Sequence, residues 1–368
     1  MTTWTRQQLS NYVTFKTGKL NSNAAVKNGK YPFFTCAQEI YKTNTWSFDT
    51  ECVLLGGNNA SAVYPIFYYK GKFDAYQRTY VIEPKNDNNI RFFYYAIRKK
   101  LEDLKQQSTG ATTRFLTIGI LNNLQIEAPE PPEQLRVASL LSTYDDLIEN
   151  NEKRIKILEE MAERLYSEWF LKFKFPGHEK IKMFDSPLGK IPEGWEYGRL
   201  GDKILIKKGK NITKNTILPG DVPVIAAGIE PAYFHNQANT SAPVITISAS
   251  GANAGFINLH FKDIWASDCS LINQETTPYV FYYYQLLSSK KNEIDNLQRG
   301  AAQPHVYPKD LMSLRTLHAP EPLIEEFENL ISPIFKLIAN LVHQNQNLTK
   351  TRDLLIPQLV TGRRELKS

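Results

Sequence analysis

Ala128-Pro129-Glu130-Pro131 returns unchanged as Ala319-Pro320-Glu321-Pro322, 191 positions later. Proline is at home in the first turn of a helix, where its fixed φ suits the geometry and its missing N–H leaves no bond unmade. Each copy opens a helical pattern. From Glu133 to Phe175 there is no Gly and no Pro. Val137, Leu141, Tyr144, Ile148, Asn151, Ile155, Leu158, Ala162, Leu165 and Trp169 follow one another at alternating steps of four and three. That is a heptad seam with one polar member, Asn151. The second copy offers Phe327, Leu330, Ile334, Leu337, Leu341, Gln344, Leu348, Thr351 and Leu355, with Gln344 as its polar member and Pro333 inside it. A helix of ~38 residues is a rod of about 57 Å. Two such helices with matched seams are expected to pack antiparallel as a coiled coil. Aligned at their midpoints, near Glu152 and Val342, they bring Asn151 beside Gln344 and so set the register.

Outward from these junctions the whole chain repeats. Phe15-Lys16-Thr17-Gly18-Lys19 answers Ile206-Lys207-Lys208-Gly209-Lys210, and Tyr31-Pro32-Phe33 answers Val222-Pro223-Val224, both at 191. Gly57–Val63 resembles Gly251–Ile257, Phe93–Ile97 resembles Phe281–Gln285, and Gly110-Ala111 returns as Gly300-Ala301. Many weak matches at one offset indicate a tandem duplication of a mixed block followed by a helix. Within the blocks, Val53–Leu55, Ala62–Tyr64, Tyr80–Ile82 and Val244–Ser248 read as strands bounded by Gly, Asn, Asp and Pro. Arg91–Lys105 and Val280–Leu297 read as helices. The fold class is therefore α+β: two repeated mixed α/β blocks separated by two long antiparallel coiled-coil helices, a pseudo-twofold tandem repeat. The expected divisions are 1–132, 133–175, 176–320 and 321–368.

The 368 residues suit about two domains, and 42% hydrophobic with 12% aromatic residues exclude wholesale disorder. No apolar run approaches the ~20 residues that span a bilayer. The N-terminus lacks a secretory signal. Cys36, Cys52 and Cys269 form no CxxC or zinc spacing, which suits buried free thiols in a reducing, cytoplasmic compartment. The net charge of +6 is uneven: residues 1–132 carry +6, 133–175 carry −2, 176–320 carry +2 and 321–368 are neutral. A basic block is a candidate polyanion face.

Catalytic signatures are absent. There is no GxxxxGK[ST] loop, no FxGxG, no [DNS]PP[YF], no GxSxG and no HExxH, and no His pair at i, i+4. No metal site is expected. What remains is contact chemistry. Lys16, Lys19, Lys207, Lys208 and Lys210 flank Gly18 and Gly209. Lysine suits phosphate as a mobile point charge, and the glycine is expected to let backbone approach the polyanion. Asn58, Asn59, Ser250 and Asn253 lie in equivalent small-residue loops. Gln77, Arg78, Thr112, Thr113, Arg114, Gln298, Arg299, Gln303 and His305 complete the candidates. Asn and Gln read an adenine edge and Arg a guanine edge. Asn in such loops is equally a good turn residue. The frame repeats while its polar tips do not: Thr112-Thr113-Arg114 stands where Ala302-Gln303-Pro304 stands.

Taken together these marks resemble the specificity (S) subunit of type I restriction–modification systems. The marks are Trp4…Leu9 and Trp195…Leu200, each followed by the [FI]-K-x-G-K turn, and the two Ala-Pro-Glu-Pro junctions. To these are added Glu133-Gln134…Ala138…Leu141…Asp145-Asp146-Leu147-Ile148 and the ending Leu354-Leu355-Ile356-Pro357-Gln358-Leu359-Val360-Thr361-Gly362. The resemblance spans nearly the whole chain. It implies two target recognition domains, at 1–132 and 176–320, and two conserved helices. It implies double-stranded DNA as ligand, two modification (methyltransferase) subunits docked on the helices, and restriction (translocase/endonuclease) subunits joining peripherally. S-adenosylmethionine would sit on the modification subunit, with no cofactor on this chain. The expected role is a non-catalytic reader of a bipartite, asymmetric target. A stand-alone nuclease with scattered carboxylates and a coiled-coil scaffold without DNA binding are the alternatives. Cleavage of plasmid by the pure chain with magnesium would single out the first. Absence of salt-dependent DNA binding would single out the second.

Overall fold

The computed structural model describes residues 3–60, 62–110, 113–186, 189–298 and 304–366. They divide into two compact units, Met1–Asn151 with Gln344–Ser368, and Glu152–His343. Both dividing points fall inside the long helices and not at their ends. Each unit therefore holds one mixed block with a part of each long helix.

Unit 1 begins with β1 (Thr5–Gln8), α1 (Leu9–Tyr12), β2 (Val13–Thr17), β3 (Tyr31–Phe34), β4 (Tyr41–Thr43), β5 (Phe48–Gly56), β6 (Asn58–Asn59), β7 (Ile66–Ala75) and β8 (Thr79–Pro84). Then come α2 (Ile90–Lys99), α3 (Leu101–Gln107), β9 (Arg114–Phe115), α4 (Ile118–Asn123), β10 (Gln125–Ala128) and α5 (Pro131–Tyr166). Six strands form one sheet in the order β2-β8-β5-β7-β3-β4, and β1 pairs antiparallel with β10. Val53 and Leu55 of β5, Ile82 of β8 and Phe92, Phe93 and Ile97 of α2 share one buried cluster. Alternation on the strand and the α2 face with Phe92, Phe93 and Ile97 meet there. The cluster also takes Val137 and Leu141 of α5 and, from the far end of the chain, Ile356 and Leu359. Asn89 caps α2 by accepting from the Phe92 amide at 3.0 Å.

Unit 2 continues with β11 (Met183–Ser186), β12 (Gly189–Pro192), β13 (Glu196–Arg199), β14 (Lys207–Lys208), β15 (Val222–Ile225), β16 (Tyr233–His235), β17 (Val244–Ser248), β18 (Ile257–His260), β19 (Trp265–Ala266) and β20 (Cys269–Asn273). Then come α6 (Val280–Ser289), α7 (Lys291–Asn296), α8 (Pro308–Met312), β21 (Arg315–His318) and α9 (Glu321–Leu359). The duplication is visible in the ladders: β13 pairs with β21 as β1 pairs with β10, and β14-β20-β17-β18 repeats β2-β8-β5-β7. One difference is clear. The ten residues of β7 bridge two partners, β5 and β3, so that sheet is continuous. The equivalent chain in unit 2 is broken into β18 and β19, and β15, β16 and β19 form a separate sheet. Between them the Asp263 carboxylate accepts from the Ala242 amide at 2.9 Å, and pairing continues only as the isolated Thr240–Ile264 bridge.

Several expectations need correction. Ala62–Tyr64 is not a strand; Ala62 takes φ 53°, outside the extended region. The expected helices over Arg91–Lys105 and Val280–Leu297 each break once, at Lys100 (ψ 1°) and Lys290 (ψ 16°). Of the thiols, Cys52 and Cys269 are buried, and burial pushes each up to about 12, whereas Cys36 is only half-buried. The seam proposed for the second long helix is only partly the buried stripe. Phe327 and Leu341 are buried and Ile334, Leu348 and Leu355 half-buried, but Leu330, Leu337, Gln344 and Thr351 are exposed, and Ile331, Phe335, Ile338, Ile356 and Leu359, outside that seam, are buried.

In unit 1 the α5 and α9 segments run antiparallel, because later residues of one meet earlier residues of the other. Arg352 pairs with Asp145 at 2.5 Å, and Asn151 Nδ2 donates to Asn345 Oδ1 at 2.9 Å. Asn151 also lies 3.5 Å from Gln344 Oε1, the longer of its two contacts. Asn345 Nδ2 in turn reaches the Ile148 carbonyl at 3.4 Å. Asn345, one residue on from the expected Gln344, is thus the closer mate, because the α9 face turned toward α5 is displaced by one position from the stripe read in the sequence. Among the described residues, no helix is long and apolar enough to cross a membrane.

Candidate nucleic-acid interface

In unit 1 the small-residue loop after β5 is clamped by main-chain bonds. The Gly57 amide donates to the Arg78 carbonyl at 2.8 Å, and the Gly57 carbonyl accepts from Leu116 at 2.8 Å. A Cβ at Gly57 would sit 2.6 Å from the Arg78 oxygen, so only glycine allows this approach. The β6–β9 pair then sets Asn58 opposite Phe115 and Asn59 opposite Arg114. Tyr80 donates to the Leu116 carbonyl at 2.8 Å, and the Arg78 guanidinium lies 5.3 Å over the Phe115 ring. The result is an open groove of about 790 Å³ whose lining includes Lys16, Gln77, Arg78, Thr109, Tyr80 and Phe115. Three sequence candidates, Lys16, Gln77 and Arg78, line this groove, and the β6–β9 pair sets three more, Asn58, Asn59 and Arg114, next to its Phe115 wall.

Charge is only partly answered here. Lys16 pairs with Glu83 at 2.5 Å. Among the described residues, Lys19, Arg78 and Arg114 hold no carboxylate; Arg114 Nη1 donates to the Ser108 carbonyl at 3.1 Å. Asn58 Oδ1 is buried and has no hydrogen-bond partner among the described residues. Asn59 Oδ1 accepts from the Val63 amide at 3.4 Å, a turn contact. Thr113 is half-buried beside Arg114, and Thr112 lies outside the described residues.

Unit 2 repeats the clamp with other tips. Ser250 bridges His305, and the Gly251 amide donates to the Pro304 carbonyl at 3.0 Å. Ser250 Oγ donates to Asp268 at 2.5 Å, and Gln298 Nε2 to the Ala254 carbonyl at 2.9 Å. Asn253 is half-buried at the end of a 3-10 turn. The His305 and Tyr307 rings stack at 5.6 Å and 3°, with the Lys309 ammonium 6.0 Å above Tyr307. Lys207 is bound to Glu275 at 3.1 Å, the counterpart of the Lys16–Glu83 pair. Lys208 and Lys210 are exposed, and Lys210 stands 6.0 Å over Trp265. Arg299 and Gln303 fall outside the described residues.

The glycines between the lysines do something other than expected. A Cβ on Gly18 would meet the Ala75 oxygen at 2.0 Å, and one on Gly209 the Ser267 oxygen at 2.3 Å. Both serve close approach to the protein's own main chain. Phe115, Tyr307 and Lys309 were missed in the sequence; each follows a quoted polar candidate by one to four residues.

A family model described as "Type I restriction modification DNA specificity domain" matches residues 1–160 and again 192–320. The chain is 25% identical over 394 residues to the type I restriction enzyme EcoDI specificity subunit of Escherichia coli, covering 95% of this chain and 86% of that one. It is 29% identical over 308 residues to the MjaIX specificity subunit of Methanocaldococcus jannaschii, covering 76% and 70%. Its fold is similar to the crystal structure of a type I restriction–modification S subunit from M. genitalium, with TM-score 0.65 at 19% identity over 100% of this chain and 97% of that one.

Proposed function

The chain belongs to the type I restriction–modification DNA specificity family, and from that premise we propose that it reads a bipartite, asymmetric duplex target, one half-site per unit. One observation carries the reading. The same clamp recurs in both units, but its tips differ: Asn58, Asn59, Arg78 and Arg114 around Phe115 in the first, Ser250 and His305 beside Tyr307 in the second. Unlike side chains on one frame present unlike donor and acceptor sets to base edges. The exposed lysines of β2 and β14 supply phosphate contacts that position without specifying.

The chain itself is non-catalytic in this reading, and S-adenosylmethionine is held by a partner modification subunit. The long helices pair as an antiparallel coiled coil and receive two modification subunits, with restriction subunits joining at the periphery. Leu140 and Leu147 on α5 are 36% and 45% exposed, and Leu330 and Leu337 on α9, each 190 positions later, are 45% and 39% exposed. Two copies of one outward apolar pair suit two copies of one partner.

The test is methylated-adenine mapping in cells carrying the partner genes. Arg78→Ala with Arg114→Ala should relax one half-site and leave the other intact. Simultaneous relaxation of both, or a continuous methylated motif, defeats the two-reader proposal.

A further inference from the structure

Away from the groove, unit 1 contains a second basic concavity. The end of α2, the β1–β10 pair and the segment after α9 enclose a pocket of about 240 Å³. Arg6, Lys99, Lys100 and Arg363 line it, and Glu127 is the single acidic side chain in that lining. Lys100 is bound to Asp103 at 2.9 Å. Among the described residues, Arg6, Lys99 and Arg363 hold no carboxylate at ion-pair distance.

Part of this arrangement has an ordinary cause. Lys99 and Lys100 end α2, where the exposed carbonyls favour cations. That does not account for Arg6, brought in by β1, or Arg363, brought in from beyond α9. The four arrive from three separate elements. Burial first, then the charge of Lys100 and more weakly that of Arg363, push the Lys99 ammonium down from its ordinary value, and the carboxylate of Glu127 offsets the fall only in part. An incoming anion would relieve such repulsion.

Unit 2 supplies the comparison within the chain. Arg6 faces Glu127 across its ladder, and Tyr197 faces Leu317 at the same register. Lys290, which ends α6 as Lys100 ends α2, is bound to Glu293 at 2.9 Å. Arg315 lies 5.6 Å over the Tyr197 ring. No equivalent group of unanswered cations forms there among the described residues.

We propose that this pocket of unit 1 binds a phosphate group. Two guanidinium forks match the oxygens of a tetrahedral oxyanion, and the ammonium of Lys99 adds a point charge. The phosphate comes from a duplex backbone or from a free phosphate compound. None of the four cations lines the groove of Lys16, Arg78 and Phe115, so the inference goes beyond the proposed half-site reading.

Inorganic pyrophosphate titrated calorimetrically into the full chain, with citrate at matched ionic strength as control, is the first arm. The proposal expects saturable 1:1 binding of pyrophosphate over citrate. It expects binding to weaken more than about tenfold in Lys99→Gln with Arg363→Gln, a loss of about 1.4 kcal/mol, and to return in Lys99→Arg with Arg363→Lys. Equal binding by the Gln variant, or equal binding of citrate, overturns it. The second arm measures duplex binding across a salt series. A salt slope lowered by about 0.9 in the Gln variant, with pyrophosphate competing, assigns the phosphate to the DNA backbone. Unchanged DNA binding alongside lost pyrophosphate binding assigns it to a free compound. If the chain reads no DNA sequence at all, the pyrophosphate arm still stands or falls by itself.

Discussion

The two units solve one packing problem in opposite ways. Each must fix the helix that follows its sheet, α2 in unit 1 and α6 in unit 2, to the long helices. In unit 1 the joint adds charged pairs to the apolar cluster that α2 shares with α5 and α9. Tyr95 donates to Asp145, Arg352 pairs with Asp145 at 2.5 Å, Arg98 with Asp353 at 3.2 Å, and Arg91 with Asp146 at 2.7 Å. In unit 2 it is aromatic. Set end to end, α2 and α6 put Phe281 where Arg91 stands, two residues off the match read in the sequence; Phe281 stacks on Phe335 at 4.5 Å and 8°, and Tyr284 meets Phe335 edge-on at 5.9 Å. Gln285 replaces Tyr95. Duplication thus preserved topology while the energetics of the joint diverged. An ionic joint depends on geometry and matched partners, and an aromatic one on contact area and shape.

The sharpest way to break this contrast is Phe335→Ala. Phe335 is almost fully buried, so truncation should cost about 3–5 kcal/mol. Hydrogen exchange should show the loss in unit 2 with unit 1 protection retained; equal loss in both units would mean that the joints are not separate. Next is Arg352→Met. It strands Asp145 beside Tyr95, and should cost about 3 kcal/mol by urea unfolding. Adding Asp145→Asn should recover much of that loss, and purely additive costs would mean that the pair is not coupled.

The third concerns acidity. Glu328 of α9 accepts from the Phe281 amide at 3.1 Å and the Tyr282 amide at 2.7 Å, capping α6 from a distance. In unit 1 the same task falls to the local Asn89. Burial pushes the Glu328 carboxyl up to about 7, and the two amides oppose the rise only in part. The folded chain then holds a proton that the unfolded chain has released above its usual 4.5. Unit 2 should lose stability as pH rises from about 4.5 to 7, with a slope of at most about 1.4 kcal/mol per unit. Glu328→Gln should flatten that slope, and an unchanged thermal profile would contradict the assignment. The smallest effect belongs to Asp146→Asn. The Asp146 carboxylate is 62% exposed, so its pair with Arg91 should contribute under about 1 kcal/mol and fade with salt.

Topology was legible because repetition is a long-range signal carried by many weak matches. The α9 seam shows where legibility stopped. After Phe327, steps of three and of four lead to Leu330 and Ile331, both apolar, and only the second is buried. Periodicity is indifferent between them. The repeat offset was not: Leu141 lies 190 before Ile331, and the buried first-helix residue marks the buried second one. The groove was half legible. Lys16, Asn58, Arg78 and Arg114 stood out by chemistry, but Phe115 became part of it only when β6–β9 pairing put it under Arg78. The Glu328 cap, joining residues 46 and 47 positions apart, leaves no local pattern at all.

The dividing points within the helices also govern the order in which the molecule can be made. Glu152–His343 is an unbroken stretch, complete in itself once His343 has left the ribosome. Unit 1 is interrupted: its sheet is synthesised first, yet Arg352, Ile356 and Leu359 arrive last. Through the synthesis of roughly two hundred intervening residues, at about 5–20 residues per second, Asp145 waits without its arginine and the Val137–Leu141 face without its cover. The first block to emerge is therefore the last to be finished, and its closing contacts span most of the chain, the kind of contact that slows folding most.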